Sequence, residues 1–192
     1  MGREFELKYN ATAKDLAALK ADYPHLTPIA METTYYDTPD GTMGRLRWTF
    51  RRRMENEKSV CTLKTPTEGL GRGEWETECG DILAAVPLLM AVGAPAELAE
   101  LVSQGIVPVC GARFRRLAGL IETDGATVEL ALDEGILLGG GRELPFTEVE
   151  VELKSGSEEA AVQFANTLAA LRGLTPEPRS KVVRARALAN EK

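Results

Sequence analysis

The sequence predicts an α+β fold in which about eight antiparallel strands close into a barrel with a charged lumen and helices pack outside it. Three segments carry that expectation. Glu4-Phe5-Glu6-Leu7-Lys8 and Glu148-Val149-Glu150-Val151-Glu152-Leu153 alternate charged with apolar residues, and an arginine-dense run spans Arg45 to Arg53. Residues two apart on a strand share a face. Glu4, Glu6 and Lys8 therefore point one way and Phe5 and Leu7 the other, and the same holds for Glu148, Glu150 and Glu152 against Val149, Val151 and Leu153. One such strand fits any half-buried sheet, with its charges in water. Repeated with dense charge of both signs, the pattern fits a barrel whose charged faces line the lumen and whose apolar faces meet helices. Closure would also remove exposed sheet edges.

The elements follow in order. Residues 3–10 read as a strand, and Thr12 followed by Asp15 opens a helix running to Asp22, ended by Tyr23-Pro24. Pro39-Asp40-Gly41 turns the strand at 33–37 into the arginine strand near 45–54. Turns at 55–57 and 69–73 then give strands at 59–65 and 74–78, a meander. The Ala/Leu-rich stretch 81–104, broken at Gly93-Ala94-Pro95, reads as two short helices. Asp124-Gly125 marks a hairpin between 113–122 and 127–133. Gly139–Gly141 reads as a mobile loop before the acidic strand at 148–153. Ser157 caps a helix to Arg172 with Gly173 at its end, and Pro176 and Pro178 precede a last helix from Ser180. All of this is expected to form one domain over residues 1–192.

Composition narrows the chemistry. A net charge of −6 argues against a nucleic-acid partner bound through bulk positive field. No apolar stretch reaches the roughly 18 residues a membrane helix needs, and no signal-peptide pattern opens the chain, so cytoplasm is expected and a membrane partner is not. Cys61, Cys79 and Cys110 lack metal-ligand spacing, and His25 is the sole histidine. The chemistry then falls to carboxylates, arginines and lysines. Closely spaced carboxylates without Cys or His select hard cations such as Mg²⁺ or Mn²⁺, while arginines and lysines select phosphate oxygens. Together they suggest a triphosphate held with its metals.

In that order the motifs resemble the CYTH domain, the triphosphate tunnel metalloenzyme family. They are Glu4-x-Glu6-x-Lys8, Tyr35-Tyr36-Asp37-Thr38-Pro39, Phe50-Arg51-Arg52-Arg53, Cys61-Thr62-Leu63-Lys64 and Arg72-Gly73-Glu74. Arg113-Phe114-Arg115, Ala131-Leu132-Asp133, Glu148-Val149-Glu150 and Ser180-Lys181 complete the set. The texture is most similar to bacterial inorganic triphosphatases. The resemblance implies Glu4, Glu6, Asp133, Glu148 and Glu150 as ligands of Mg²⁺ or Mn²⁺, two ions per site, with Asp133 acting directly or through water. It implies Lys8, Arg51, Arg53, Lys64, Arg72, Arg113, Arg115 and Lys181 as phosphate contacts, and Lys8, Glu6 and Glu148 as catalytic. Arg72 with Glu74 is read equally as a wall salt bridge. Arg47 shares the lumen parity, Arg52 has the outward one, and Trp48 and Trp75 are expected under helices.

Hydrolysis of inorganic triphosphate to pyrophosphate and phosphate is the leading expectation. Adenylate cyclase, nucleoside or thiamine triphosphatase activity, and non-catalytic polyphosphate binding are the alternatives. The partner is inorganic triphosphate or a nucleoside triphosphate, and no oligomeric state is implied. Some relatives append a helical CHAD domain, so its absence or a truncated chain is expected after Ser180-Lys181.

Overall fold

The computed structural model describes residues 2–66 and 72–190, with side chains from residue 5 onward. The Glu4 side chain and most of the expected 69–73 turn lie outside the described residues. The strands are β1 (Gly2–Glu4), β2 (Glu6–Asn10), β3 (Thr27–Asp37), β4 (Thr49–Glu55), β5 (Lys58–Pro66) and β6 (Arg72–Glu78), then β7 (Val107–Thr123), β8 (Ala126–Gly139), β9 (Arg142–Gly156) and β10 (Thr175–Pro176). The helices are α1 (Ala13–Asp22), α2 (Thr42–Arg45), α3 (Ala85–Ala91), α4 (Glu97–Ser103), α5 (Glu158–Arg172) and α6 (Lys181–Asn190).

The strands form one ten-stranded antiparallel sheet in the order β1-β6-β5-β4-β3-β7-β8-β9-β2-β10. This corrects the closed eight-stranded barrel expected from the sequence: the hydrogen-bonded order has two edges, β1 and β10. The reason lies at Phe5, which splits the first strand. Gly2–Glu4 pair with β6, from Gly2↔Glu74 to Glu4↔Arg72, whereas Glu6–Asn10 pair with β9, from Glu6↔Glu152 to Asn10↔Glu148. One short stretch of chain thus serves both ends of the order, so the sheet is strongly curled and the inner faces of distant strands converge.

Apolar faces turn outward, as the alternation requires. Tyr9, Val149 and Val151 pack with Leu16 and Leu19 of α1 and Ala165 of α5. Phe50, Leu63 and Trp75 pack with Leu89 of α3 and Leu98 of α4. Thr12 and Asp15 close a reciprocal capping box on α1, and Ser157 caps α5 through the backbone N–H groups of Glu159 and Ala160.

Three local expectations are corrected. The arginine run does not begin as strand: Asp37 accepts from the backbone N–H of Met43 at 2.9 Å and of Gly44 at 3.0 Å, which winds residues 42–45 into α2. Arg47 then takes φ 60°, and β4 starts only at Thr49. The Gly139–Gly141 segment is a tight hairpin rather than a mobile loop. Gly140 and Gly141 take φ 58° and 74°, the left-handed pair such a turn needs, and Gly139 pairs with Arg142. The hairpin also lies flat against α6, where a Cβ on Gly139 would run into the Ala185 carbonyl. Finally, α6 does not join the outer helices. Its Ala185 packs with Ala112, Phe114, Leu137 and Phe146, which share strand parity with the inward charges of β7, β8 and β9.

Candidate active site

Inside the curl lies a cavity of about 360 Å³, walled by β2, β3, β4, β5, β6, β7, β8, β9 and the start of α6. Its lining is largely ionic, and the ions pair both along and across strands. On β2, Lys8 donates to Glu6 at 3.0 Å. Burial opposes the Lys8 ammonium, but attraction to Glu6, with Glu150 and Glu148 behind it, outweighs that and holds its pKa above the ordinary value.

The opposite wall is built from β4, β5 and β6. Lys64 lies directly across from Glu74 in the ladder, and their side chains meet at 3.1 Å. Arg51 stands 4.0 Å from Glu74 and 3.7 Å from Glu76. Arg53 donates to Thr33 Oγ1 at 3.1 Å, and burial, then the charge of Arg51, lower its pKa to about 10. Arg72 donates to the Arg47 carbonyl at 2.8 Å. Arg52, one residue out of phase, donates to the Gly80 carbonyl away from the cavity.

At the inner end Asp133, Glu148 and Glu150 bring ligand atoms within 4.8 Å of one another. Cross-strand pairing of Asp133 with Glu148 and the parity of β9 put them on one face. Arg116 grips both Asp133 oxygens, at 2.8 and 2.7 Å, and also Glu150. Lys181 bonds Glu148 and Glu150, the latter at 2.6 Å, and Arg184 takes the other Glu148 oxygen. Burial pushes the Glu148 carboxyl up to about 7, whereas Lys181 and Arg116 outweigh burial at Glu150 and hold it well below the usual range. All-oxygen donors at this spacing fit a hard divalent cation.

The structure thus brings together Glu6, Lys8, Arg51, Arg53, Lys64, Arg72, Glu150 and Lys181 in the cavity lining. Glu148 and Asp133 sit fully buried behind it. Arg113 and Arg115 do not belong to the site: both are exposed, and Arg113 pairs with Glu143 at 3.2 Å. The phase of β7 is the reason. Counting back from the turn between Thr123 and Ala126 sets Arg116 opposite Asp133, so Phe114 and Arg116 face inward. That register was available from the Asp124-Gly125 signal, which is how Arg116 could have been found. Arg184 could have been found one helical turn beyond Lys181.

Known proteins share this chain's fold and part of its sequence. The chain is 31% identical over 139 residues to the inorganic triphosphatase of Haemophilus influenzae, a match covering 70% of this chain and 39% of that protein's length. Its fold is similar to that of an adenylate cyclase candidate from Bacillus halodurans, with a TM-score of 0.72 at 19% identity over 96% of this chain and 98% of that one. It is also similar to a Hippeastrum adenylyl cyclase candidate described as having a dominant triphosphatase activity, with a TM-score of 0.67 at 20% identity over 97% and 96%. With residues 2–185 matching the CYTH domain model, the chain belongs to the CYTH domain family.

Proposed function

We propose that this chain hydrolyses inorganic triphosphate to pyrophosphate and phosphate with the help of a divalent cation. One observation carries the reading: the cavity is lined by eight lysines and arginines and seven glutamates, with Tyr35 its single aromatic residue among the described ones. Such walls suit a compact polyanion. A cyclase or a thiamine or nucleoside triphosphatase needs an apolar or stacking surface for the organic group, and this lining offers little beyond Tyr35 and Val182. The Haemophilus influenzae relative supports the same substrate.

In this reading Arg51, Arg53, Lys64, Arg72 and Arg116 hold phosphoryl oxygens and fix the chain of phosphorus atoms for in-line attack. Asp133, Glu148 and Glu150, with Glu6 on the neighbouring strand β2, would hold Mg²⁺ or Mn²⁺, one or two ions. A bound divalent cation supplies neutralisation of phosphoryl charge. Glu6 orients the attacking water. Lys8, kept protonated by Glu6, gives a hydrogen bond to the departing pyrophosphate rather than taking a proton. The three free thiols fit a reducing compartment, the cytoplasm.

Phosphate release from inorganic triphosphate, ATP and thiamine triphosphate, compared with Mg²⁺ and with chelator, tests the reading. Metal-dependent release from inorganic triphosphate well above the other two is expected, and Glu6→Gln should lose it about 10²-fold or more. Preference for ATP or thiamine triphosphate would move the substrate, and binding without turnover would leave a polyphosphate-binding module.

A further inference from the structure

Every carboxylate oxygen of Asp133, Glu148 and Glu150 already meets a cationic donor. Arg116 takes both oxygens of Asp133 and Oε2 of Glu150, Arg184 takes Oε2 of Glu148, and Lys181 Nζ takes Oε1 of Glu148 and of Glu150. Lys181 Nζ also lies 2.8 Å from Asp133 Oδ2, so among the described residues it alone touches all three acids. The faces of Phe114 and Phe146, 5.2 and 5.4 Å away, complete its cage. A divalent cation using these oxygens would need about the position the ammonium holds, since both sit within 2–3 Å of the same atoms. The two cations exclude each other by charge and by space.

We propose that Lys181 is an exchangeable internal cation, filling the carboxylate site in the free protein and yielding it to a divalent cation. Lys181 is the first residue of α6 and also lines the cavity, so its side chain has somewhere to go. The helix itself stays anchored by Arg184 on Glu148 and Arg186 on Asp37. With Lys181 in place and the three acids ionised, three carboxylates face three cations and the charges of the cluster balance. After exchange the cluster and the released ammonium carry uncompensated positive charge, which an anion in the adjoining cavity offsets. Metal and polyanion therefore bind with positive linkage, and the linkage is reciprocal. The identity of that polyanion rests on the function proposed above, but the competition between Lys181 and metal does not.

The test uses Mn²⁺ alone, without any phosphate, and follows the free ion by electron paramagnetic resonance with the whole chain. Lys181→Met should bind Mn²⁺ about tenfold or more tightly than the unaltered protein, a difference of about 1.4 kcal/mol, and Glu148→Gln should lose the site. Equal or weaker binding by Lys181→Met overturns the proposal. Should that variant not fold, the unaltered chain decides: acetylation of amines by a water-soluble ester, mapped by mass spectrometry, should rise at Lys181 when Mg²⁺ saturates the protein. Unchanged labelling at saturation overturns the exchange. Neither arm reads turnover, so an inactive enzyme and a failed exchange give separate signatures.

Discussion

Arg115 and Arg116 are neighbours on β7 in opposite environments. Arg116 is buried between Asp133 and Glu150, and Arg115 is exposed. Removing Arg116 strips a buried carboxylate pair of a bidentate partner, which costs about 3–5 kcal/mol. An exposed substitution away from such a network stays within about 0.5 kcal/mol. Arg116→Ala should therefore lower the midpoint of urea unfolding by the larger amount and reduce triphosphate turnover, and Arg115→Ala should do neither. Equal effects would return Arg115 to the site. Adjacent basic residues on one strand cannot be sorted by composition, because only phase separates them. Glu6, Lys8, Arg51, Arg53 and Lys64 were legible because each strand's apolar alternation gave the phase directly. On β7 the strand is basic and apolar without clean alternation, so phase had to come from its hairpin partner.

At the scale of elements, helix ends and hairpins were legible because capping and turn residues act locally: Thr12 with Asp15, Ser157 with Gly173, and Asp124-Gly125 all sit at the ends they mark. The placement of α6 was not legible. Its Val182, Ala185 and Leu188 stripe resembles that of a surface helix, and the partners of Lys181 and Arg184 come from strands some thirty residues earlier in the chain. What steers the chain into α6 is Glu177, whose backbone N–H donates to the Lys8 carbonyl at 2.9 Å. Its carboxylate accepts from the Arg179 backbone at 3.0 Å and from the Arg179 guanidinium at 2.9 and 2.8 Å. The hydrogen bonds from Arg179 draw the Glu177 pKa from its ordinary 4.5 to about 2. A carboxylate depressed in the folded state adds stability above its unfolded value and loses it as pH falls through the folded one. Glu177→Gln should thus melt below the unaltered protein at pH 7, and the gap should narrow between pH 4.5 and about 2. A gap that stays constant over that range, followed by circular dichroism, would show that the charge on Glu177 is not what matters.

For the whole molecule, the question is how a curled sheet tolerates so much charge inside it. An isolated buried charge costs several kcal/mol, whereas a paired and hydrogen-bonded one costs far less. Here the pairing is internal: Lys8 with Glu6, Lys64 with Glu74, Lys154 with Glu152 and Arg116 with Asp133 all meet within about 3.1 Å. The inner acids, too, are neutralised by Arg116, Lys181 and Arg184 without any outside ion. Folding should then not depend on metal, unlike that of small domains whose folding energy is the metal's binding energy. Chelator should leave the melting temperature unchanged within about 1 °C while abolishing phosphate release, since a ΔΔG of about 1 kcal/mol would already move the midpoint by about 2–4 °C in a chain of this size. Mg²⁺ together with a non-hydrolysable triphosphate analogue should raise it, because any ligand bound only by the folded state stabilises by mass action, about 2.7 kcal/mol at a hundredfold excess over Kd. A melting temperature that falls with chelator alone would mean that a metal ion, and not Lys181, balances the inner carboxylates of the folded chain.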